Sequence, residues 1–220
     1  MPSQRMLLLR QDPIVIKDLG LQKYAEVLQD MQDYIRNSQE EKIWFVEHPP
    51  IYTMGTAADP RHILSNSYTD VFQSDRGGEV TYHGPGQLVI YFMLNIKKRG
   101  IGPKIFVRTL EQMIQKILYN FNIETHLIKG APGVFVDDKK IASIGLRFSR
   151  GMSYHGISIN VDMDLIPFQN INPCGYPGLE VTQIKNFDSK IDMEKVKLVC
   201  KKYCKEFFFK NGNYTDRKNY

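Results

Sequence analysis

The stretch Arg76–Tyr91, RGGEVTYHGPGQLVIY, decides how the chain is read. Between Arg76 and Gln87 it packs four glycines, a proline, an arginine, a histidine and a glutamine. A wholly apolar run, LVIYFML at 88–94, follows at once. That run carries no helical spacing and reads as a buried strand. Phosphate-binding loops place their glycines at a helix N-terminus, where N–H groups point at the anion. Here a strand follows Gly84-Pro85-Gly86, and the GxxxxGK[ST] pattern is missing. Two readings stay open on these residues. One is a tight turn whose Arg76 and His83 pin neighbouring loops. The other is a loop that approaches a ligand closely, with Gly77 and Gly78 bringing backbone near it. Arg76 would then supply fixed donors, and His83 and Gln87 polar anchors at the mouth.

The flanking sequence sets the fold class. MLLLR at 6–10 suits a short strand. LQKYAEVLQDMQDYIRN repeats apolar residues at Leu21, Tyr24, Leu28, Met31 and Ile35, the spacing of an amphipathic helix. IWFVEH at 43–48 reads as a buried strand ended by Pro49 and Pro50. Residues 52–70 read as irregular. Gly102-Pro103 opens a helix with Phe106, Leu110, Met113, Ile114 and Ile117 on one face. Three strands follow: GVFVDD, KIASIGLRF and YHGISINV, the first two joined by a turn at Asp137-Asp138-Lys139. A basic helix at 190–210 closes the chain. Strands come as hairpins between long helices, so a doubly wound parallel sheet fits poorly. The expected fold is α+β: a mixed or antiparallel central sheet flanked by helices. Residues 1–220 are expected to form a single domain.

Composition excludes several classes. The longest apolar run is seven residues, far short of a membrane span. MPSQRMLLLRQDP has only four consecutive apolar residues, unlike a secretory signal. Three cysteines, an odd count, fit a reducing, cytoplasmic setting. Cys200 and Cys204 share a helix face and read as core, since a zinc site would need two further ligands; no metal site is expected. The net charge of +5 resides in residues 185–220. A solvated helix face explains it, as would a docking patch for an acidic partner. The contiguous aromatics of FFFK look like core, so nucleic acid is not an expected partner.

Two residues stand out chemically. Cys174 sits in NPCGYPG, among chain breakers; core cysteines favour regular elements and loops carry reactive groups, so a reactive thiol and a structural one both stay open on these residues. Lys139-Lys140 after Asp137-Asp138 reads as a charged turn. If a strand starts there, alternation sends the two lysines to opposite sides.

Arg76-Gly77-Gly78, Thr81-Tyr82-His83, Gly86-Gln87 and Tyr91 together resemble the signature of the octanoyltransferases of lipoate biosynthesis. Glu47-His48-Pro49-Pro50 with Thr53 and Gly55, Lys140–Gly145, His155–Asn160 and Asn172–Gly175 are similar to further family segments, in family order over roughly residues 45–185. Phe92 departs from the family, which often has proline after the tyrosine. The resemblance implies a fold of the biotin/lipoate protein ligase type. It implies Cys174 as nucleophile and Lys140 as the cation that stabilises its thiolate and takes the proton from the incoming amine. It implies an acyl pocket lined by Arg76, Gly77, Gly78, Glu79, Val80, Thr81, Tyr82, His83, Ser143, Ile144, Gly145, Gly156, Ile157 and Ser158. The implied donor is an octanoyl thioester on the 4′-phosphopantetheine of acyl carrier protein. The implied acceptor is a lysine of lipoyl domains of 2-oxoacid dehydrogenase complexes or of the glycine cleavage H protein. No separate cofactor, nucleotide or membrane is implied. The rival is an ATP-dependent lipoate–protein ligase, which shares the fold and the lysine but needs no nucleophilic cysteine.

Overall fold

The apolar run becomes β6 (Gln87–Met93), buried at every position. Leu88, Ile90 and Phe92 feed one core cluster, Val89, Tyr91 and Met93 the other. That alternation marks a strand covered on both faces. The turn before it is fixed by Gly86, whose φ of 84° is left-handed. A Cβ there would lie 1.8 Å from the Asp162 carbonyl oxygen, so only glycine fits.

The computed structural model describes residues 14–38, 40–65 and 69–209. The strand expected at 6–10 lies outside the described residues. Around β6 runs a seven-stranded sheet in the order β1-β2-β6-β10-β9-β8-β7. Its strands are β1 (Val15–Leu21), β2 (Lys42–Glu47), β7 (His126–Ile128), β8 (Ala131–Val136), β9 (Lys139–Ser149) and β10 (Met152–Asn160). β1 runs parallel to β2, and the other neighbours are antiparallel. A second sheet, β4-β3-β5, joins β4 (Val71–Gln73), β3 (Ile51–Met54) and β5 (Val80–His83). The expected mixed α+β architecture is present.

Helix α1 (Tyr24–Asn37) covers one face of the large sheet; α2 (Pro103–Tyr119) and α3 (Met193–Phe208) cover the other. Gly102 and Pro103 start α2 as expected, with proline in its first turn. The Asp192 side chain caps α3 by accepting from the Lys195 N–H at 2.7 Å. Cys200 and Cys204 are fully buried among the α2/α3 apolar residues, as expected of core.

Elements that the sequence reading placed differently or left unread include α1, β1, β3, β4, β5 and β7. Leu21 ends β1 and is exposed, so α1 begins at Tyr24 and Val27 takes the vacated place on its buried face. β1 itself is an edge strand whose Lys17, Asp18 and Gly20 conceal its character. β3 overlaps the stretch expected to be irregular, held between β4 and β5.

Candidate active site

Cys174 stands on a single 3-10 turn, Pro173–Gly175, after β10. Its φ of 57° is left-handed, a strained state for a residue with a side chain. Several backbone bonds hold that state. Gly175 N–H donates to Asn172 O at 3.0 Å, Tyr176 N–H to Pro173 O at 3.1 Å, and Asn172 N–H to His62 O at 2.8 Å. The strained turn leaves the thiol half-buried and directed at Lys140.

Lys140 lies at the start of β9 and is 2% exposed. Its Nζ donates to Cys174 Sγ at 3.0 Å and to Pro132 O at 2.9 Å. Glu180 O and Thr182 N–H clamp its backbone at 2.9 Å each. Gly133 on β8 makes room for the stem: a Cβ there would lie 2.7 Å from Lys140 Cε. Lys139 points the other way and pairs with Glu180 at the surface. The alternation read from the sequence therefore holds.

Beside this pair opens a cavity of about 170 Å³. Of the expected site residues, Cys174, Lys140, Arg76, Gly78, Glu79, Val80, Thr81, His83, Ser143, Ile144, Gly145, Gly156, Ile157 and Ser158 line it. Gly77 and Tyr82 do not. Gly77 packs behind the wall, its N–H donating to Leu146 O at 2.9 Å. That bond removes it from the glycines that could hold an oxyanion. Tyr82 packs on Tyr52 and Phe168 in the small sheet's core.

The cavity exists because facing strands carry small residues in register. Gly156 pairs with Gly145, and Ser158 with Ser143. These small residues line the trough where the two strands pair. Arg76 roofs it and is buried. Its guanidinium donates to Thr53 O at 2.6 Å, Glu79 O at 2.8 Å, Thr53 Oγ1 at 2.9 Å and Gly77 O at 3.1 Å. It makes no ion pair among the described residues, and burial pushes its pKa down.

His83 acts as an organiser. Its Nδ1–H donates to Gln87 Oε1 at 2.6 Å, and Gln87 Nε2 donates to Tyr82 O and Asn160 Oδ1. Burial pushes the His83 pKa down to about 3, so the ring is neutral. His48 donates from Nδ1 to Gln22 O and accepts the Tyr91 hydroxyl at Nε2, both at 2.7 Å.

Several neighbours escaped the sequence reading. Glu79 Oε2 accepts from His62 Nδ1 and from Asp59 N–H, both at 3.2 Å. A Cβ on Gly175 would lie 3.1 Å from each of those two side chains, so the pair buttresses the cysteine turn. Tyr176 donates its hydroxyl to Gly130 O at 3.4 Å across the cavity mouth. Tyr24 of α1 and His155 of β10 complete the lining. Contacts between segments this distant carry no local signal. The lysines of α3 do not line the cavity. That helix packs on the other face of the sheet from Tyr24, Val89 and Tyr91, which do line it. Among the described residues no helix is long and apolar enough to cross a membrane, and no cluster of metal-binding side chains forms.

Comparison with known proteins bears on the family and the fold. The family model of the lipoyl protein ligase A/B catalytic domain matches residues 23–205. An octanoyltransferase of Francisella tularensis subsp. tularensis (strain WY96-3418) is 47% identical over 195 residues, spanning 87% of this chain and 93% of the relative. One of Legionella pneumophila (strain Lens) is 45% identical over 186 residues, spanning 83% and 94%. Among solved structures, lipoate-protein ligase A bound with ATP superposes with a TM-score of 0.73 at 12% identity, covering 90% of this chain and 86% of the ligase. A bi-partite lipoate protein ligase of Thermoplasma acidophilum, from a study that includes its E2 lipoyl domain, gives 0.72 at 14% identity, covering 90% and 84%. These structures share the fold. The chain belongs to the lipoyl protein ligase A/B catalytic domain family and, within it, to the octanoyltransferases.

Proposed function

We propose that the protein moves an octanoyl group from an acyl carrier protein to a lysine of a lipoyl domain through a thioester on Cys174. The observation that carries this reading is the 3.0 Å contact between Lys140 Nζ and Cys174 Sγ at the cavity. The mechanism uses this pair as nucleophile and proton carrier, because the thiolate is the attacking form of a cysteine.

In the first half-reaction Cys174 Sγ attacks the octanoyl carbonyl and an S–C bond forms. The C–S bond to the phosphopantetheine arm breaks. The departing carrier thiolate takes a proton from Lys140, which becomes neutral. In the second, the amine of the lipoyl-domain lysine attacks the acyl-Cys174 carbonyl. Neutral Lys140 takes the proton that the nitrogen loses on forming the amide. Cys174 leaves as the thiolate, beside a lysine charged once more. Charge and protons balance over the cycle, and one lysine serves both halves of a ping-pong reaction. The thioester conserves the energy of the donor, so no nucleotide is required.

The trough between Gly145/Ser143 and Gly156/Ser158 holds the octanoyl chain. Each buried methylene contributes about 0.8 kcal/mol, so neighbouring chain lengths differ by roughly fourfold in affinity. Gly78, Gly145 and Gly156 are the backbone candidates for stabilising the oxyanion of each step.

The test is a transfer assay to a lipoyl domain. One arm supplies octanoyl-acyl carrier protein without nucleotide; the other supplies free octanoate with ATP. Product in the first arm alone is expected. Product in the second arm alone would replace this reading with an ATP-dependent ligase.

A further inference from the structure

One polar atom of the cavity wall has no part in the chemistry above. His155 is 1% exposed and lines the cavity. Its Nε2–H donates to Asp75 Oδ1 at 2.7 Å. Asp75 also accepts from the Tyr154 hydroxyl and from Gln32 Nε2. Burial pushes the Asp75 carboxyl up, but the bonds from His155 and Tyr154 outweigh it and leave it at about 2. An ionised carboxylate only accepts, so the ring proton is fixed on Nε2 and Nδ1 presents a lone pair. That Nδ1 is buried and has no partner, alone in this among buried side-chain nitrogens and oxygens of the described residues. A buried acceptor left open carries a desolvation penalty, and a folded chain keeps one where something else completes it.

The ring's direction is built in. His155 has a left-handed φ of 58° in the middle of β10. This breaks the strand's alternation, so the Tyr154 and His155 rings stack at 4.9 Å instead of facing opposite sides. Ser153 Oγ donates to Phe92 O at 2.6 Å beside the break. The Nε2 edge is turned to Asp75, which does not line the cavity, whereas His155 does.

The position is distal. His155 pairs with Leu146, six residues beyond Lys140 on β9. At about 3.3 Å per residue, roughly 20 Å of strand separates the two backbone sites. Ser143/Ser158 and Gly145/Gly156 pave the interval. The Lys140 side chain runs along the strand to Gly133, which pairs with Ser143, so about three residues of β9, roughly 10 Å, separate the level of its Nζ from that of His155.

We infer that His155 Nδ1 is the acceptor of a distal subsite that receives an O–H donor at the far end of the bound chain. The donor is a water molecule beyond a plain alkyl tail, or a terminal hydroxyl on the chain itself. The inference rests on the cavity being the acyl pocket. It makes His155 a specificity-determining residue that touches the tail of the substrate and not the reacting atoms.

The test compares kcat/KM for matched acyl-carrier donors: octanoyl, decanoyl, ω-hydroxyoctanoyl and ω-methoxyoctanoyl. Wild type is compared with His155→Asn, a shorter side chain that tolerates left-handed φ. Ratios between donors are read, since a merely structural defect scales all of them together. In the wild type the hydroxyl chain is expected within about threefold of octanoyl. The methoxy chain, which cannot donate, is expected at least tenfold below the hydroxyl chain; this comparison needs no variant. In His155→Asn the hydroxyl-to-octanoyl ratio is expected to fall about tenfold if the chain hydroxyl is the donor. The decanoyl-to-octanoyl ratio is expected to rise if bound water is, because the longer chain no longer displaces it. Equal rates for hydroxyl and methoxy chains, with neither ratio moved by the substitution, would overturn the inference while acyl transfer stands. Absence of transfer from every donor in the wild type would overturn the acyl-pocket reading, and this inference with it.

Discussion

Replacing Arg76 by lysine keeps the charge and removes the fork, so it isolates what the guanidinium geometry contributes. Arg76 is buried and reaches four oxygens: the Thr53 carbonyl and hydroxyl and the carbonyls of Gly77 and Glu79. A lysine ammonium sits at one point and cannot span them. Losing two of these bonds, at about 1–2 kcal/mol each, costs roughly 2–4 kcal/mol. For a chain of this size that lowers Tm by roughly 5–15 °C. Thermal unfolding followed by circular dichroism, at matched protein concentration, reads the shift directly. The arginine also roofs the trough, since a Cβ on Gly145 would lie 3.1 Å from its Cδ. Below the transition, Arg76→Lys is therefore expected to raise KM for the acyl donor. A Tm within 1 °C of wild type would refute the idea that this one side chain braces the loop over the cavity.

Other outcomes follow from the same geometry. Gly156→Ala places a Cβ 1.9 Å from the Ile90 carbonyl oxygen, against the neighbouring strand. It is expected to lower stability by at least about 1–3 kcal/mol, seen as a lower urea midpoint; an unchanged midpoint would contradict the β6–β10 packing. Lys140→Met is expected to cut octanoyl transfer by roughly 10²–10⁴, with a lesser effect on Tm; a change within threefold would exclude lysine from the proton transfers. Acid stability carries a sign. Burial pushes His48 down to about 4 from its usual value near 6.5, so the fold favours the neutral ring. The unfolded chain then binds the proton first, and stability present above pH 6.5 is lost as pH falls toward 4. The loss is on the order of 3 kcal/mol for His48, with His83 adding in the same direction. Tm measured from pH 7.5 to 4.5 should fall, and less steeply for His48→Gln; equal slopes would contradict the assignment.

The legible parts of the fold were those whose side chains repeat. The seven apolar residues of β6 and the one-faced apolar pattern of α2 identify themselves, because burial on two faces or one leaves a period. β1 was hidden because an edge strand needs little apolar content, and β3 because four residues carry too little pattern. At the site, strand alternation sent Lys139 and Lys140 to opposite sides once a strand was granted, and the resemblance chose Lys140 as the one that faces Cys174. The breaker-rich surroundings of Cys174 left a reactive and a structural thiol open until the resemblance chose between them, and its left-handed backbone is a property of the folded turn. The Asp75–His155 bond joins positions 80 residues apart, and no local signal links them. The C-terminal positive charge is plain in composition. That α3 stands behind the sheet from the cavity follows from topology, which composition does not encode.

The central claim is that the acyl group rests on Cys174. Intact mass spectrometry after incubation with octanoyl-acyl carrier protein, without ATP, tests it in wild type and Cys174→Ser. A hydroxylamine-labile gain of about one octanoyl group (~126 Da) in wild type, missing from the variant, is the predicted result. Wild type that carries no adduct yet still transfers the octanoyl group, or an adduct that persists in Cys174→Ser, would contradict it.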